Sequence, residues 1–476
     1  MSGNPLPNNA VFTLEEILSC CQNNDCCQAR LLTSANKDIL QRPLRGIYTD
    51  SRNITEGAIF VALTGEKFDG HQFLQQAANA GAAAAIVEKD IDPNSIPKNL
   101  ALLRVKSTLE TLGQLSHCHR EKFSLKIIGI TGSYGKTTTR SFIAAALGAS
   151  IKVLSTQENY NNEIGVPQTL LQIDASYQAA VIEMGMRGSG QIDYLAKLAR
   201  PEIGVITNIG PQHIELLGSV ENVAAAKAEL LENLPANGAA ILPADDAQFD
   251  FLQSRTNASI ISFGANANAT YRVLKSTFDA QGNTVCEINT PQHGVLEVFL
   301  PLPGIHNAIN AAAALALADY CGVDMHRAIA ALQTVEIPGA RMQIYRGSNN
   351  IIIDDCYNAG PFSMRAALDV LEQFPAGERR VAVLGSMLEL GQSSEEEHRA
   401  IGTQAGGIAQ LIIGVGEETK VLLEAAQQSG NSQTLWFADA ATAAAAIPAH
   451  LHASDIILIK GSRSIGLEKV VQVLHG

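Results

Sequence analysis

The chain has 476 residues, more than one hydrophobic core usually serves, so two or three domains are expected. A formal charge of -13 excludes the broad basic footprint that nucleic acid or an anionic membrane surface demands, so neither partner is expected. Hydrophobic residues make up 46% of the chain without an apolar run long enough to span a bilayer, and "MSGNPLPNNAVFTLEE" lacks the basic start and apolar core of an export signal; a soluble cytoplasmic protein is expected.

In chain order, four of the eight cysteines come first, in "CCQNNDCC" (Cys20, Cys21, Cys26, Cys27). Adjacent cysteines do not easily face one metal, so the favoured reading is reduced thiols around a helix end, with an adventitious metal or redox site as the lesser one. Residues 1 to about 115 mix short strands and helices around "GIYTDSRNITEGAIFVALTGEKFDGHQF". From "LKIIGIT" (Leu125 to Thr131) the texture becomes apolar strand, glycine turn, Ala-rich helix, and it recurs through "AAVIEMG", "IGVITNIG" and "AAILPAD". That alternation predicts a mostly parallel sheet with crossover helices. After "IPGARMQIYRG" the strands "RVAVLGSM", "QLIIGVG", "TLWFAD" and "DIILIKGS" predict a second doubly wound unit, with "ATAAAAI" helical.

"GITGSYGKTTTR" (Gly129 to Arg140) nearly spells an ATPase phosphate loop, but the glycine expected at position 130 is Ile130. Such a loop needs glycines where N–H groups turn inward, a lysine for the β- and γ-phosphates, a hydroxyl for magnesium and a helix N-terminus behind. Gly132, Ser133, Gly135, Lys136, Thr137 and Thr138 supply these directly after an apolar strand, so the loop reads as intact but shorter on its glycine side.

This loop and the segments "ENYNNEIGVPQTLL", "IEMGMRGSGQI", "VITNIGPQHIELLGS", "AKAELL", "PGIHNAINAAAALA", "DDCYNAGPFSM" and "KGSRSIGLEKVV" occur in the order found in the Mur ligases of peptidoglycan synthesis, and the resemblance covers most of the chain. It implies an α/β protein of three domains: a small N-terminal UDP-substrate domain (1–115), a central P-loop ATPase-like parallel sheet (116–338) and a C-terminal Rossmann-like doubly wound sheet (339–476). "TDSRNITEGAIFVALTGEKFDGH" and "CYNAGPFSM" are most similar to members that add D-alanyl-D-alanine to UDP-N-acetylmuramoyl-tripeptide, and the Asp-Asn-Pro-Arg stretch of amino-acid-adding members is missing. The implied reaction phosphorylates the tripeptide carboxylate with ATP; the dipeptide amine then attacks the acyl phosphate. The resemblance further implies magnesium, as two ions, and a monomer. Three domains with ligands in the clefts between them, joined by linkers near 115–122 and 336–345, would close on their substrates.

By the same resemblance, Lys136 neutralises the β- and γ-phosphates and Thr137 and Glu183 hold magnesium, with His213 at a second ion. Asn307, Arg341 and Asp355 resemble nucleotide contacts; the bland alternatives are a helix cap, a linker ion pair and a strand-end cap. Ser51 and Arg52 match a uridine-diphosphate site, Asn161, Asn162 and Glu163 a substrate-facing loop, and Lys460, Ser462 and Arg463 a turn that closes on the site, with a solvated basic turn as the alternative. Lys227 shares a helix with Val223, Leu230 and Leu231, more apolar company than an ammonium prefers, and its stem could snorkel to water. The matching family lysine is carbamylated and binds magnesium, which implies the same for Lys227.

The sequence departs from the family pattern at Gly360 and Phe362, where "YNANPDSM" reads "YNAGPFSM", at Ser386 in "LGSMLELG", and at Pro243 in "LPADD". These departures bear on recognition of the incoming dipeptide more than on the ATP chemistry. Two other readings stay open: a folylpolyglutamate-synthase-like ligase, against which "TDSR" argues, and a P-loop switch without catalysis. A Mur ligase that adds a single amino acid is a nearer variant.

Overall fold

The computed structural model describes residues 8–22, 27–33, 37–66, 68–212, 214–279, 281–347, 350–374, 379–430 and 433–475. The chain divides into two compact units, one comprising residues 1–129, 151–186 and 191–202, the other residues 130–150, 187–190 and 203–476.

In the first unit, Ile47–Tyr48, Ile59–Val61, Ala84–Val87 and Ala101–Arg104 pair in parallel, and the short strand Arg30–Leu31 closes the edge antiparallel. Side chains alternate across a strand, and here both faces are covered. Ile59, Val61, Ala84, Ile86 and Leu103 pack with Phe12, Ile17, Leu112 and Leu115, whereas Phe60, Ala62, Ala85, Val87 and Leu102 pack with Leu74, Ala77 and Ala78. Cys20 and Cys21 lie in helix Leu14–Gln22, and Cys21 and Cys27 are buried in the first of these cores as free thiols; Cys26 lies outside the described residues. This unit also holds the parallel pair Val153–Ser155 and Ala179–Glu183.

In the second unit Ile203–Ile206, Ala239–Pro243, Ser259–Gly264 and Tyr271–Phe278 lie side by side in parallel. The sheet then turns antiparallel through Thr284–Thr290 and Gly294–Leu300, an extension that the apolar runs of the sequence do not announce. Its strand Thr284–Thr290 buries alternate residues only, so it carries no continuous apolar run. A six-stranded sheet follows, in the order Gln343–Arg346, Ile351–Asp354, Asp455–Lys460, Arg379–Gly385, Leu411–Val415, Gln433–Phe437, parallel except for its first strand. The last strand in sequence is inserted between earlier ones, so strand order switches beside Asp455–Lys460; the carboxyl edge there, where such sheets bind ligands, carries Asp355, Ser386 and Lys460. "ATAAAAI" is helical from Ala440 to Ala446. Among the described residues no helix is long and apolar enough to cross a membrane.

Candidate active site

Strand Lys126–Thr131 delivers the loop Gly132–Gly135, and helix Lys136–Gly148 begins directly behind it. Gly132 has φ +151°, and a Cβ there would lie 1.9 Å from Thr207 Oγ1. Gly135 caps the helix with φ +76°, in the left-handed region. The loop is braced from one neighbouring segment: Ser133 N–H donates to the Asn208 carbonyl (3.0 Å), Tyr134 N–H donates to Asn208 Oδ1 (2.9 Å), and the Tyr134 carbonyl accepts from Thr207 Oγ1 (2.6 Å) and Asn208 Nδ2 (3.0 Å). Ser133 Oγ donates to the Gly210 carbonyl (3.1 Å) and accepts from its N–H (2.9 Å). A rigid loop at the positive end of a helix of 13 residues is a ready anion site.

Two amines converge on one oxygen of this loop. Lys136 Nζ donates to the Gly132 carbonyl at 2.7 Å and to that of Ser133 at 3.2 Å, while Lys227 Nζ reaches the same Gly132 carbonyl at 3.0 Å. Lys227 sits on helix Val220–Glu232, capped by Ser219 and packed through Val223, Leu230 and Leu231; it is 2% exposed, so it does not snorkel. Burial, then the neighbouring Lys136 ammonium, holds its pKa well below the usual lysine value, which favours the neutral amine. Thr137 and Thr138 are buried in the first turn behind the loop.

Helix Ile305–Tyr320 passes beside the loop, where the Asn310 side chain would lie 3.2 Å from a Cβ on Gly135. Asn307 is no helix cap, since Gly304 takes that position; its Nδ2 donates to the Pro303 carbonyl at 2.7 Å. At the carboxyl edge of the six-stranded sheet, Lys460 pairs with Asp355 Oδ2 and donates to the Asn358 carbonyl at 3.0 Å, while Asp355 Oδ1 accepts the Met342 N–H at 3.2 Å. Lys460 is 2% exposed, so the solvated-turn alternative fails for it. Arg341 donates to the Pro338 carbonyl and lies 3.7 Å over the Tyr357 ring, which Arg463 approaches at 5.7 Å from an exposed position. Ser462 Oγ accepts from Leu388 N–H (2.9 Å), and its own N–H donates to the Ser386 carbonyl (3.2 Å). Burial pushes the His306 imidazole down to about 4; Asp355 opposes this and Lys460 adds to it.

Glu183, Asn161, Asn162, Glu163, Ser51 and Arg52 belong to the first unit. Glu183 ends its strand buried, with Asn161 Nδ2 donating to its Oε1 at 2.9 Å and Thr156 Oγ1 accepting its N–H at 3.0 Å. Asn162 Oδ1 accepts the N–H groups of Ile164 (3.3 Å) and Gly165 (2.9 Å), a structural duty at the start of helix Gly165–Leu170, and Glu163 beside it is half-buried. Ser51 is buried in a turn; Arg52 is exposed and folds onto Asp50, with Nε 2.9 Å from Oδ1 and Nη2 2.6 Å from Oδ2. That pairing holds the Asp50 carboxyl below its usual range. His213 lies outside the described residues. Among the described residues no cluster of three His, Cys, Asp or Glu side chains is arranged to hold a metal.

Three family descriptions match along the chain: "Mur ligase family, catalytic domain" over residues 43–120, "Mur ligase middle domain" over 130–318, and "Mur ligase, glutamate ligase domain" over 340–463. A Synechocystis relative named UDP-N-acetylmuramoyl-tripeptide--D-alanyl-D-alanine ligase is 38% identical over 93% of this chain and 94% of its own length. The chain belongs to the Mur ligase family. Among solved structures, MurF from Acinetobacter baumannii is 32% identical, with a TM-score of 0.88 over 98% of this chain and 99% of that one. MurF ligase from Thermotoga maritima, solved in complex with ADP, is 26% identical, with a TM-score of 0.80 over 90% of this chain and 96% of that one.

Within this Mur ligase, sequence reasoning missed Thr207, Asn208 and Asn310 around the phosphate loop. The signal for the first two was their place just past the carboxyl end of strand Ile203–Ile206, the edge where parallel sheets gather ligand contacts. Asn310 lies one turn after Asn307 on the same helix face, so the first asparagine was a pointer to the second.

Proposed function

We propose that the chain is an ATP-dependent ligase that joins D-alanyl-D-alanine to UDP-N-acetylmuramoyl-tripeptide through an acyl phosphate. The observation that carries this reading is the braced phosphate loop, with Lys136 and the helix N-terminus at its mouth, in a chain similar over nearly its whole length to ligases of that name. The ADP held by the Thermotoga relative supports the nucleotide assignment.

A carboxylate is a poor electrophile, and transfer of the γ-phosphoryl group makes it an anhydride that an amine can attack. Lys136 leaves the Gly132 and Ser133 carbonyls for the β- and γ-phosphates, a short swing for an ammonium on a flexible stem. Asn307, Arg341 and Asp355 contact the nucleotide, the Arg341–Tyr357 stack offering a flat surface beside it. Lys460, oriented by Asp355, contacts the acceptor end, with Ser462 and Arg463 beyond it. In the first unit Arg52 exchanges Asp50 for the diphosphate of the UDP precursor, aided by Ser51, and Asn161 and Glu163 face the peptide.

In the second unit Thr137 and Lys227 would hold magnesium, which supplies neutralisation of the phosphate charge during transfer, and in the first unit Glu183 offers an oxygen donor of its own. Each is chemically suited to that role within its own unit: Glu183 is a buried carboxylate steadied by Asn161, and Lys227 is a buried amine whose pKa burial lowers. The neutral Lys227 nitrogen adds to carbon dioxide, forming an N–C bond and releasing one proton, which turns an amine into an anionic oxygen donor. Domains of 1–115, 116–338 and 339–476 follow the order of the three family segments, 43–120, 130–318 and 340–463. The protein is read as a cytoplasmic monomer, and its charge of -13 argues against a nucleic-acid partner. The test is phosphate release from ATP in the presence of each acceptor alone and of both, with the product identified by mass. Ligation with a single amino acid or with folate, and not with the dipeptide, overturns the assignment.

A further inference from the structure

The phosphate-loop pattern asks nothing of the side chain at position 134, yet the Tyr134 ring is closely surrounded. It stacks on Phe362, with ring centroids 5.5 Å apart and planes 18° from parallel. A Cβ on Gly360 would lie 3.0 Å from Tyr134 Cε1 and 3.3 Å from its hydroxyl oxygen, and a Cβ on Gly210 would lie 2.8 Å from Cε2. The ring thus lies directly against two bare backbones and one aromatic face. Its hydroxyl is buried without a hydrogen-bond partner among the described residues, so what holds the ring here is packing. Phe362 is 49% exposed, on the first turn of helix Pro361–Gln373, and Gly360 caps that helix. Both positions are departures from the family pattern, and both face the same tyrosine.

The segment so gripped begins at the candidate site. Asp355 and the Asn358 carbonyl hold Lys460, and Gly360 follows two residues on. At the other end, Tyr134 is fixed by Asn208 and Thr207 through its own backbone. We propose that Tyr134 is a positioning residue of the ligase reaction: its ring, seated on Gly360 and Phe362, couples the phosphate loop to the Asp355–Phe362 segment, so that the groups at the acceptor end are held in register with the γ-phosphate. This rests on the ligase reading for its kinetic readout. It assigns the glycine at 360 to clearance for the ring and the phenylalanine at 362 to its stacking partner.

The test is a double-mutant cycle in the full-length enzyme with Tyr134→Ala, Phe362→Ala and both, and with Gly360→Ala in the wild-type and Tyr134→Ala backgrounds. Each single change at the stack is expected to lower kcat about tenfold while leaving KM for the UDP precursor unchanged, and the double variant should be no slower than the worse single one. Gly360→Ala should cost a similar factor beside Tyr134 and nothing in the Tyr134→Ala background, a rescue that a merely structural role does not produce. Tyr134→Phe, which keeps the ring and removes the unpartnered hydroxyl, should match wild type and guards against variants that fail to fold. Additive losses, an equal Gly360→Ala penalty in both backgrounds, or a Tyr134→Phe variant as slow as Tyr134→Ala would each overturn the proposal. The same cycle read as the ADP-induced shift in melting temperature needs no ligation. A wild type that does not ligate therefore sinks the ligase reading alone, whereas absent coupling in both readouts sinks this one.

Discussion

Replacing Lys227 by methionine separates what the residue does for the fold from what it does for the chemistry. The side chain stays unbranched and is one atom shorter, losing the amine and with it one hydrogen bond of 3.0 Å to the Gly132 carbonyl. That carbonyl is not stranded, because Lys136 still donates to it at 2.7 Å. The loss is therefore one ordinary hydrogen bond, about 1 kcal/mol, and removing a buried amine whose desolvation is unfavourable offsets it. Stability should change by no more than about 1 kcal/mol, a melting shift of roughly 2–4 °C or less. Loss of a preorganised group at the reacting phosphates costs far more, about 3–4 kcal/mol, or roughly 100- to 1000-fold in kcat. The assay is ligation by Lys227→Met and Lys227→Ala, with acetate or formate added to the alanine variant, whose smaller side chain leaves room for a carboxylate. Partial rescue there, and a carbon-13 carbamate signal from labelled bicarbonate in the wild type, are expected. Ordinary turnover by the methionine variant, or active enzyme with no carbamate signal, would refute the reasoning.

Lys136→Ala should fold normally and lose at least 100-fold in ligation, measured as phosphate release at saturating ATP; a variant with wild-type turnover contradicts the loop assignment. In Gly132→Ala the new Cβ meets Thr207 Oγ1 at 1.9 Å and the Thr207 backbone nitrogen at 3.0 Å, and only the side chain can yield. With strain of about 1–3 kcal/mol at that φ and a weakened Thr207 hydrogen bond, ADP affinity should fall at least tenfold by calorimetry, and adding Thr207→Ala should restore it only in part. His306 supplies a pH dependence. Its folded pKa of about 4 lies below the ordinary 6.5, so below pH 6.5 the unfolded chain takes a proton that the folded chain refuses, and stability falls as pH drops from 6.5 towards 4. His306→Gln should therefore remove about 1 kcal/mol of the stability lost between pH 7.5 and 5.5; identical pH profiles for the two proteins would show the imidazole is not the titrating group.

What could be read from the sequence was local. Apolar runs such as "AAVIE" and "DIILIK" are strands because residues buried on both faces leave no polar alternation to confuse them. The phosphate loop was visible because its strand, glycines, lysine and helix are contiguous. The helical spacing around Lys227 showed apolar company but left a snorkelling stem as the plainer reading, and it hid the Gly132 carbonyl as target, because burial and contact both depend on how helix Val220–Glu232 lies against the loop. Gly360 and Phe362 read as losses of polar recognition; their common neighbour, Tyr134, becomes visible only after folding. The half-buried meander Tyr271–Leu300 is less legible for a simpler reason: its strands alternate buried and open positions and carry no continuous apolar run.

The central claim is a three-substrate amide ligation, and its most direct measurement is ADP and phosphate formation by the purified chain with ATP, UDP-N-acetylmuramoyl-tripeptide and D-alanyl-D-alanine, omitting one at a time. Sustained turnover is predicted with all three present, with one UDP-N-acetylmuramoyl-pentapeptide formed per phosphate released. Sustained phosphate release that does not need the dipeptide, or release without an amide product, would contradict it.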